Sequence, residues 1–281
     1  MKKAIIVFTK VPKVGVCKTR LTEARGGILT PEEANAFYEA CILDVIDVCL
    51  SVEEEDIWIC YNQDGDRSYL DSILTQVKYP LRIAGVFSDQ GGSFDDCMQY
   101  ATDFILKSGS DGRLADAVLI SGGDLPTLQP YILREALNKL EKLSLTESGQ
   151  KGAIREVRGS DGMLIGASLV EAACQEGGFS LVGLTCTTNF NFNDVFYNLE
   201  GITALDMLVT KAAKDEIPFG YVEMVPDVDI PVDLASQLPV LQGIALAAKN
   251  DPEVIVPQRT ISLLDELGLK SHALPPVRET V

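Results

Sequence analysis

Among its 281 residues the chain has a single histidine, His272. This residue lies close to the carboxyl terminus, so catalysis by a histidine dyad or triad is not expected, nor is a multi-histidine metal centre. Any metal would have to sit on carboxylates, which select hard cations such as Mg2+. The seven cysteines are odd in number, scattered, and form no C-x-x-C. This is the usage of a reducing compartment with buried thiols, neither a disulfide framework nor a zinc site. Long apolar runs are also missing. The opening MKKAIIVF starts like a signal peptide, but the apolar stretch stops at Lys10, too short for a membrane span, so a cytoplasmic location without membrane insertion is expected. Basic residues are scarce: 24 Lys and Arg stand against 41 Asp and Glu, a net charge of −17. A field of that sign repels phosphate polymers, so no nucleic acid polymer is expected as partner. Neither G-x-x-x-x-G-K-[ST] nor G-x-G-x-x-G occurs, and no internal repeat or low-complexity tract is visible.

Against that acidic background one stretch stands out. Met1 to Arg25 holds seven Lys and Arg and one acid, Glu23. Lys2–Phe8 reads as a short buried strand, and a loop broken by Pro12 and Gly15 then leads to Lys18-Thr19-Arg20. Cations concentrated on an acidic protein point to a local anionic ligand, most commonly phosphate. Lys18 supplies a point charge and Arg20 a planar fork. Cys17 lies among these cations, which would lower its pKa, but no histidine base is near, so it reads as loop filler.

The pattern that follows is alternating strand and helix. Thr30-Pro31-Glu32-Glu33 is a capping box with proline in the first turn, opening an amphipathic helix over 31–50. Residues 56–61 form a second strand, Asp64-Gly65-Asp66 a turn before a short helix, and 81–87 a third strand. Ser93 can cap a helix bearing Phe94, Met98, Ala101 and Ile105. The continuous apolar run 117–121 suits a strand buried on both faces of a parallel sheet. A helix runs on to about 141, followed by a polar linker over 142–151. Strand-like segments are expected at 153–157 and 163–167, a loop at 185–198, a helix near 201–214 and a strand at 217–224. The alternation predicts an α/β fold with a doubly wound, mostly parallel sheet. Residues 1–234 would form the main domain and 235–281 a helical extension packed on it, whose leucines are a candidate surface for homo-oligomer formation.

In such sheets ligands lie outside the carboxyl ends of the strands. Asp124, in Gly122-Gly123-Asp124-Leu125-Pro126, follows a buried strand where glycine permits close approach, and can hold Mg2+ against a diphosphate. It could equally cap the next helix. Asp227-Val228-Asp229 offers further carboxylates after the last strand. Asp161-Gly162 either binds ligand or makes a tight turn.

Taken in order, these motifs resemble the nucleotide-diphospho-sugar transferase superfamily with the GT-A fold. The opening Val7-Phe8-Thr9-Lys10-x-Pro12-x-x-Gly15-x-x-Lys18-Thr19-Arg20-Leu21 is similar to that of a bacterial and archaeal glycosyltransferase-like family associated with radical-SAM clusters. Gln90-Gly91-Gly92-Ser93-Phe94-Asp95-Asp96 resembles its second motif, and Gly122 to Leu128 its G-x-D-x-P-x-L. Asp161 to Gly166 is aligned with D-G-G-x-x-L-I-G, with Met163 in place of the second glycine. Asp227 to Leu234 is aligned with D-V-D-T-P-x-D-L, with Ile230 in place of Thr. The likeness covers about 3–236 and extends to 2-phospho-lactate guanylyltransferases. It implies that Phe8, Thr9, Lys10, Lys18, Arg20, Gln90, Gly91, Gly92, Ser93 and Gly123 bind the nucleotide. It further implies that Asp124 and Asp229 hold Mg2+ or Mn2+, and that Asp161 faces an acceptor of unknown identity. Glycosyl transfer from a nucleotide-diphospho-sugar is the expected activity. Nucleotidyl transfer to a phosphorylated small molecule and a non-catalytic nucleotide-binding role are the alternatives.

Overall fold

In chain order the strands are β1 (Lys3–Thr9), β2 (Asp56–Tyr61), β3 (Ile83–Ser88), β4 (Ala117–Gly122), β5 (Leu169–Ala173), β6 (Phe179–Thr185) and β7 (Phe219–Val222). The helices are α1 (Pro31–Leu50), α2 (Arg67–Leu74), α3 (Phe94–Leu106), α4 (Pro130–Ser144), α5 (Glu147–Gly152), α6 (Ala204–Lys214), α7 (Pro231–Ala247) and α8 (Gln258–Glu266). The computed structural model describes residues 1–53 and 55–271; His272 and the rest of the expected tail lie outside them.

The strands form one sheet in the order β3-β2-β1-β4-β6-β5-β7. β1, the first strand of the chain, lies between β2 and β4 with parallel pairing on both sides. Its residues Ala4 to Val7 are fully buried, as expected for a strand covered on both faces. One core layer under α1 and α4 includes Ile5, Val7, Ile42, Ile46, Leu119 and Leu137. The other, under α3 and α6, includes Ile6, Met98, Ile105, Val118, Phe192 and Leu208. The capping boxes anticipated at Thr30 and Ser93 are both formed, with Glu33 and Asp96 as reciprocal partners.

The exception to parallel pairing is β6, antiparallel to β4 and β5. β5 and β6 are joined by a turn in which Cys174 N donates to Gly178 O at 3.0 Å. Gly177 has φ +72°, and a side chain there would strike Thr203 at 2.7 Å. So tight a connection leaves no room for a crossover helix, and the two strands must be antiparallel neighbours.

The second half is where the sequence pattern misleads. Residues 153–157 and 163–167 form no strand; a single antiparallel bridge, Arg158 to Leu164, is all that their alternation achieves. The expected linker contains the end of α4 and the short α5, capped by Thr146. The chain then returns through β5 and β6, two strands that composition did not single out.

The carboxy-terminal helices strap across α1. The Arg259 guanidinium donates to Asp44 at 2.9 Å and to Asp47 at 2.7 Å, two acids that are nearly inaccessible. Gln129 and the Ile255 backbone exchange hydrogen bonds at 2.9 and 3.0 Å. The domain boundary expected after residue 234 falls inside α7, which begins at Pro231. Among the described residues no helix is long and apolar enough to cross a membrane.

Candidate functional site

The carboxyl ends of β1 and β4 are adjacent, and the loops leaving them meet. After β1 the chain turns at Lys13, which accepts from the amides of Val16 (3.0 Å) and Cys17 (3.2 Å). It reaches Lys18 in the left-handed region, at φ 50°. A lysine there is uncommon and costs about 1–3 kcal/mol unless its surroundings hold it. What holds it is charge. The Lys18 ammonium donates to Asp124, from the β4 loop, and to Asp229 at 2.7 Å, from the segment after β7. The Lys18 side chain is only 6% exposed. Burial alone would depress its pKa, but Asp124 and Asp229 outweigh that and hold it charged, above the usual lysine range. For Asp229, burial pushes upward, and the Lys18 ammonium with Arg20 and Lys10 reverses it, leaving the carboxyl below its usual value. Arg20 reaches Asp229 at 3.5 Å and is half exposed.

Three segments far apart in sequence therefore converge on one ammonium. Their supports are equally specific. The Tyr38 hydroxyl, on α1, sits 3.0 Å from Thr9 Oγ1 and accepts from Lys10 N at 3.0 Å, while its ring lies 5.6 Å from the Lys18 nitrogen. Gly123 permits the β4 loop to close on this assembly: a Cβ at that position would stand 2.9 Å from Thr9 Oγ1. Asp233, in the first turn of α7, accepts from Asp229 N (3.0 Å) and Ile230 N (2.9 Å). That carboxylate supplies one half of a capping box, to the N-cap amide, while Ile230, in place of threonine, has no polar atom for the other half. Gln237 donates to Asp227 O at 2.6 Å, and Gln175 donates to the same oxygen at 3.1 Å. Asp227 is pushed up to about 6 by burial and by the like charges of Asp124 and Asp229.

Of the residues expected from sequence, Thr9, Lys18, Arg20, Gly123, Asp124 and Asp229 are brought together here. The side chain of Lys10 is exposed, though its amide is fixed by Tyr38. Gln90 to Ser93 lie at the carboxyl end of β3, two strands from β1, hence about 10 Å along the sheet. Asp89 accepts from Gly91 N at 3.1 Å, and Ser93 is engaged with Asp96. Phe8 packs edge-on against Phe94, 5.6 Å between rings. Burial raises the Cys17 thiol despite Lys10 and Lys18 nearby, in keeping with a filler.

Asp161 is not brought into this cluster. Its carboxylate meets the Met1 amino group at 3.3 Å, at the amino end of β1. The length of β1, seven residues or about 20 Å, separates it from the Lys18 cluster. The spacing of D-G-G-x-x-L-I-G is met at Glu176-Gly177-Gly178-Phe179-Ser180-Leu181-Val182-Gly183, with Glu for Asp and Val for Ile, and both glycines are retained. This copy makes the β5–β6 turn, whose neighbour Gln175 touches Asp227 and Asp233. The two glycines and the eight-residue spacing are the signal in the sequence that marks this turn.

Two carboxylates converging on one cation, beside Lys and Arg, suit Mg2+ or Mn2+, which takes one or two carboxylates and completes its shell with phosphate oxygens. Among the described residues no group of three or more His, Cys, Asp or Glu is placed to hold a metal ion.

The same α/β fold occurs among solved structures. A candidate nucleotide-diphospho-sugar transferase of Desulfovibrio desulfuricans G20 superposes with a TM-score of 0.68 at 21% identity, covering 95% of this chain and 96% of that one. More distant are a cytidylyltransferase of Leptospira borgpetersenii (TM-score 0.49, 11% identity, 98% and 99% covered) and a mannosyltransferase of Pyrobaculum calidifontis in complex with GDP-Man and Mn2+ (0.41, 10%, 94% and 70%). No curated protein matches the chain significantly. By sequence the chain belongs to the family described as "Uncharacterized protein conserved in bacteria (DUF2064)", whose profile matches residues 45–199.

Proposed function

We propose that the protein is a metal-dependent transferase that uses a nucleotide donor, and that the reaction is glycosyl transfer from a nucleotide-diphospho-sugar to a small-molecule acceptor. The observation that carries this reading is the meeting of Lys18, Arg20, Asp124 and Asp229 at the carboxyl ends of β1 and β4. Arg20 and Lys18 would bind the donor diphosphate, while the Thr9–Tyr38–Lys10 hydrogen bonds hold the β1 loop in place beneath it. Asp124 and Asp229 would hold Mg2+ or Mn2+. When bound, that cation neutralises the diphosphate charge that develops as the sugar–oxygen bond breaks. The β5–β6 turn at Glu176–Gly178, across the cluster, replaces Asp161 as the acceptor-side element.

Nucleotidyl transfer is the second reading, favoured by the two cations of the first loop, since a leaving pyrophosphate demands several positive charges. A thermal-shift panel of nucleotide-sugars and nucleoside triphosphates with Mg2+ or Mn2+ separates the two. A ligand at a hundred times its Kd stabilises by about 2.7 kcal/mol. Shifts with nucleotide-sugars alone support glycosyl transfer, shifts with triphosphates alone support nucleotidyl transfer, and no shift with either refutes both. Asp124→Asn should keep the fold and lose the metal-dependent part of the shift; an unchanged Mn2+ dependence would remove Asp124 from the metal site.

A further inference from the structure

The ammonium of Lys18 stands where a divalent cation would. It contacts Asp124 and Asp229 together, the same two carboxylates that the transferase reading assigns to metal. Lys18 holds one oxygen of each carboxylate, and a divalent ion bridging the same two carboxylates with metal–oxygen bonds of about 2.1 Å would stand close beside the ammonium. Two like charges that close in a buried site repel strongly. Lys18 has the means to leave: four methylenes, a single point charge, and a backbone held in an unfavourable left-handed conformation. It also has somewhere to go, because half-exposed Arg20 stands 3.5 Å from Asp229 and offers an anion its first contact.

We propose that Lys18 is a built-in counter-cation that occupies the metal position of the nucleotide-free protein, and that donor phosphates draw it out, so that metal and nucleotide enter together. The inference rests on the transferase reading for the identity of the anion, and on geometry alone for the exchange of cations. In the free protein the Lys18 ammonium balances Asp124 and Asp229 and excludes metal. With phosphate bound, the ammonium moves onto phosphate oxygen, and the vacated carboxylates take the divalent ion. No covalent bond changes.

The test is Mn2+ binding without nucleotide, followed by electron paramagnetic resonance, in the wild type and in Lys18→Met, which keeps the length of the stem without the charge. Lys18→Met should bind Mn2+ at least about tenfold more tightly; equal or weaker binding overturns the proposal. Because removing a buried cation can impair folding, a second measurement uses the unaltered chain. At Mn2+ concentrations high enough for electron paramagnetic resonance to show the metal bound, lysine acetylation read by mass spectrometry should modify Lys18, which chelator leaves unmodified; protection of Lys18 while Mn2+ is bound overturns the exchange. Adding a nucleoside diphosphate should tighten Mn2+ binding more in the wild type than in Lys18→Met. If the diphosphate binds with Mn2+ but Lys18→Met gains no Mn2+ affinity, the exchange falls and the transferase reading stands. If Lys18→Met gains affinity but the wild type takes no diphosphate, the transferase reading falls and the exchange stands.

Discussion

A lysine withdrawn from water is unfavourable unless acids offset it, and Lys18 has two; the cost and the compensation both sit where ligand is expected. Arg20 is different in kind, being half exposed with one long contact, so its contribution to folding is small and its value lies in anion recognition. Arg20→Ala should therefore leave the melting temperature nearly unchanged. It should weaken nucleoside diphosphates about tenfold while barely affecting the nucleoside, as calorimetric titration would show. Equal loss for both ligands would contradict a phosphate role. Glu171 belongs to the same scale. It lies on β5, is 6% exposed, and its Oε2 has no hydrogen-bond partner. Burial pushes its carboxyl up to about 7. A folded-state pKa above the unfolded one means no penalty below the unfolded value, and stability that falls as pH rises through about 7. Glu171→Gln should thus match the wild type near pH 4.5 and exceed it by about 3 kcal/mol at pH 8 in urea denaturation. Parallel pH profiles would refute the assignment.

At the scale of elements, the parallel half was legible because each signal was local. Thr30 and Ser93 announce helices through caps, and β4 announces itself through five successive apolar or small residues. The hairpin β5–β6 was not legible. Its strands carry a glutamate, three alanines or glycines and a bulge between Ala172 and Ala173, so their β character comes from packing between β4 and β7 rather than from side-chain alternation. Residues 153–167 show the converse, alternation without a neighbouring strand to pair with. The closing strap is also an element-scale device. Arg259→Met would leave Asp44 and Asp47 buried without their cation, and should lower stability by about 3–5 kcal/mol in urea denaturation. A loss below about 1 kcal/mol would mean that α8 is not held by this pair.

Over the whole molecule, the charge of −17 and the cationic loop act at different ranges. Screening confines each acid to about 10 Å at ordinary salt, so the Lys18–Arg20 region can accept one small anion while the surface as a whole repels a polymer. The protein should therefore give no gel shift with duplex DNA at 150 mM salt, even at the concentrations that would saturate the proposed nucleoside diphosphate site; a shift would overturn the electrostatic exclusion. What the amino-acid sequence by itself determined was the set of parts: a buried first strand, a cationic loop, an aspartate after a second buried strand, and caps that start the helices. Each is written within ten or so neighbouring residues. Only the tertiary structure decided which parts meet. Lys18, Asp124 and Asp229 are joined because β1, β4 and the segment after β7 end on one edge of the sheet. Asp161, with equally suitable chemistry, is left at the other edge because α4 returns the chain there. Strand direction, a property of the folded sheet and of no single segment, makes that choice.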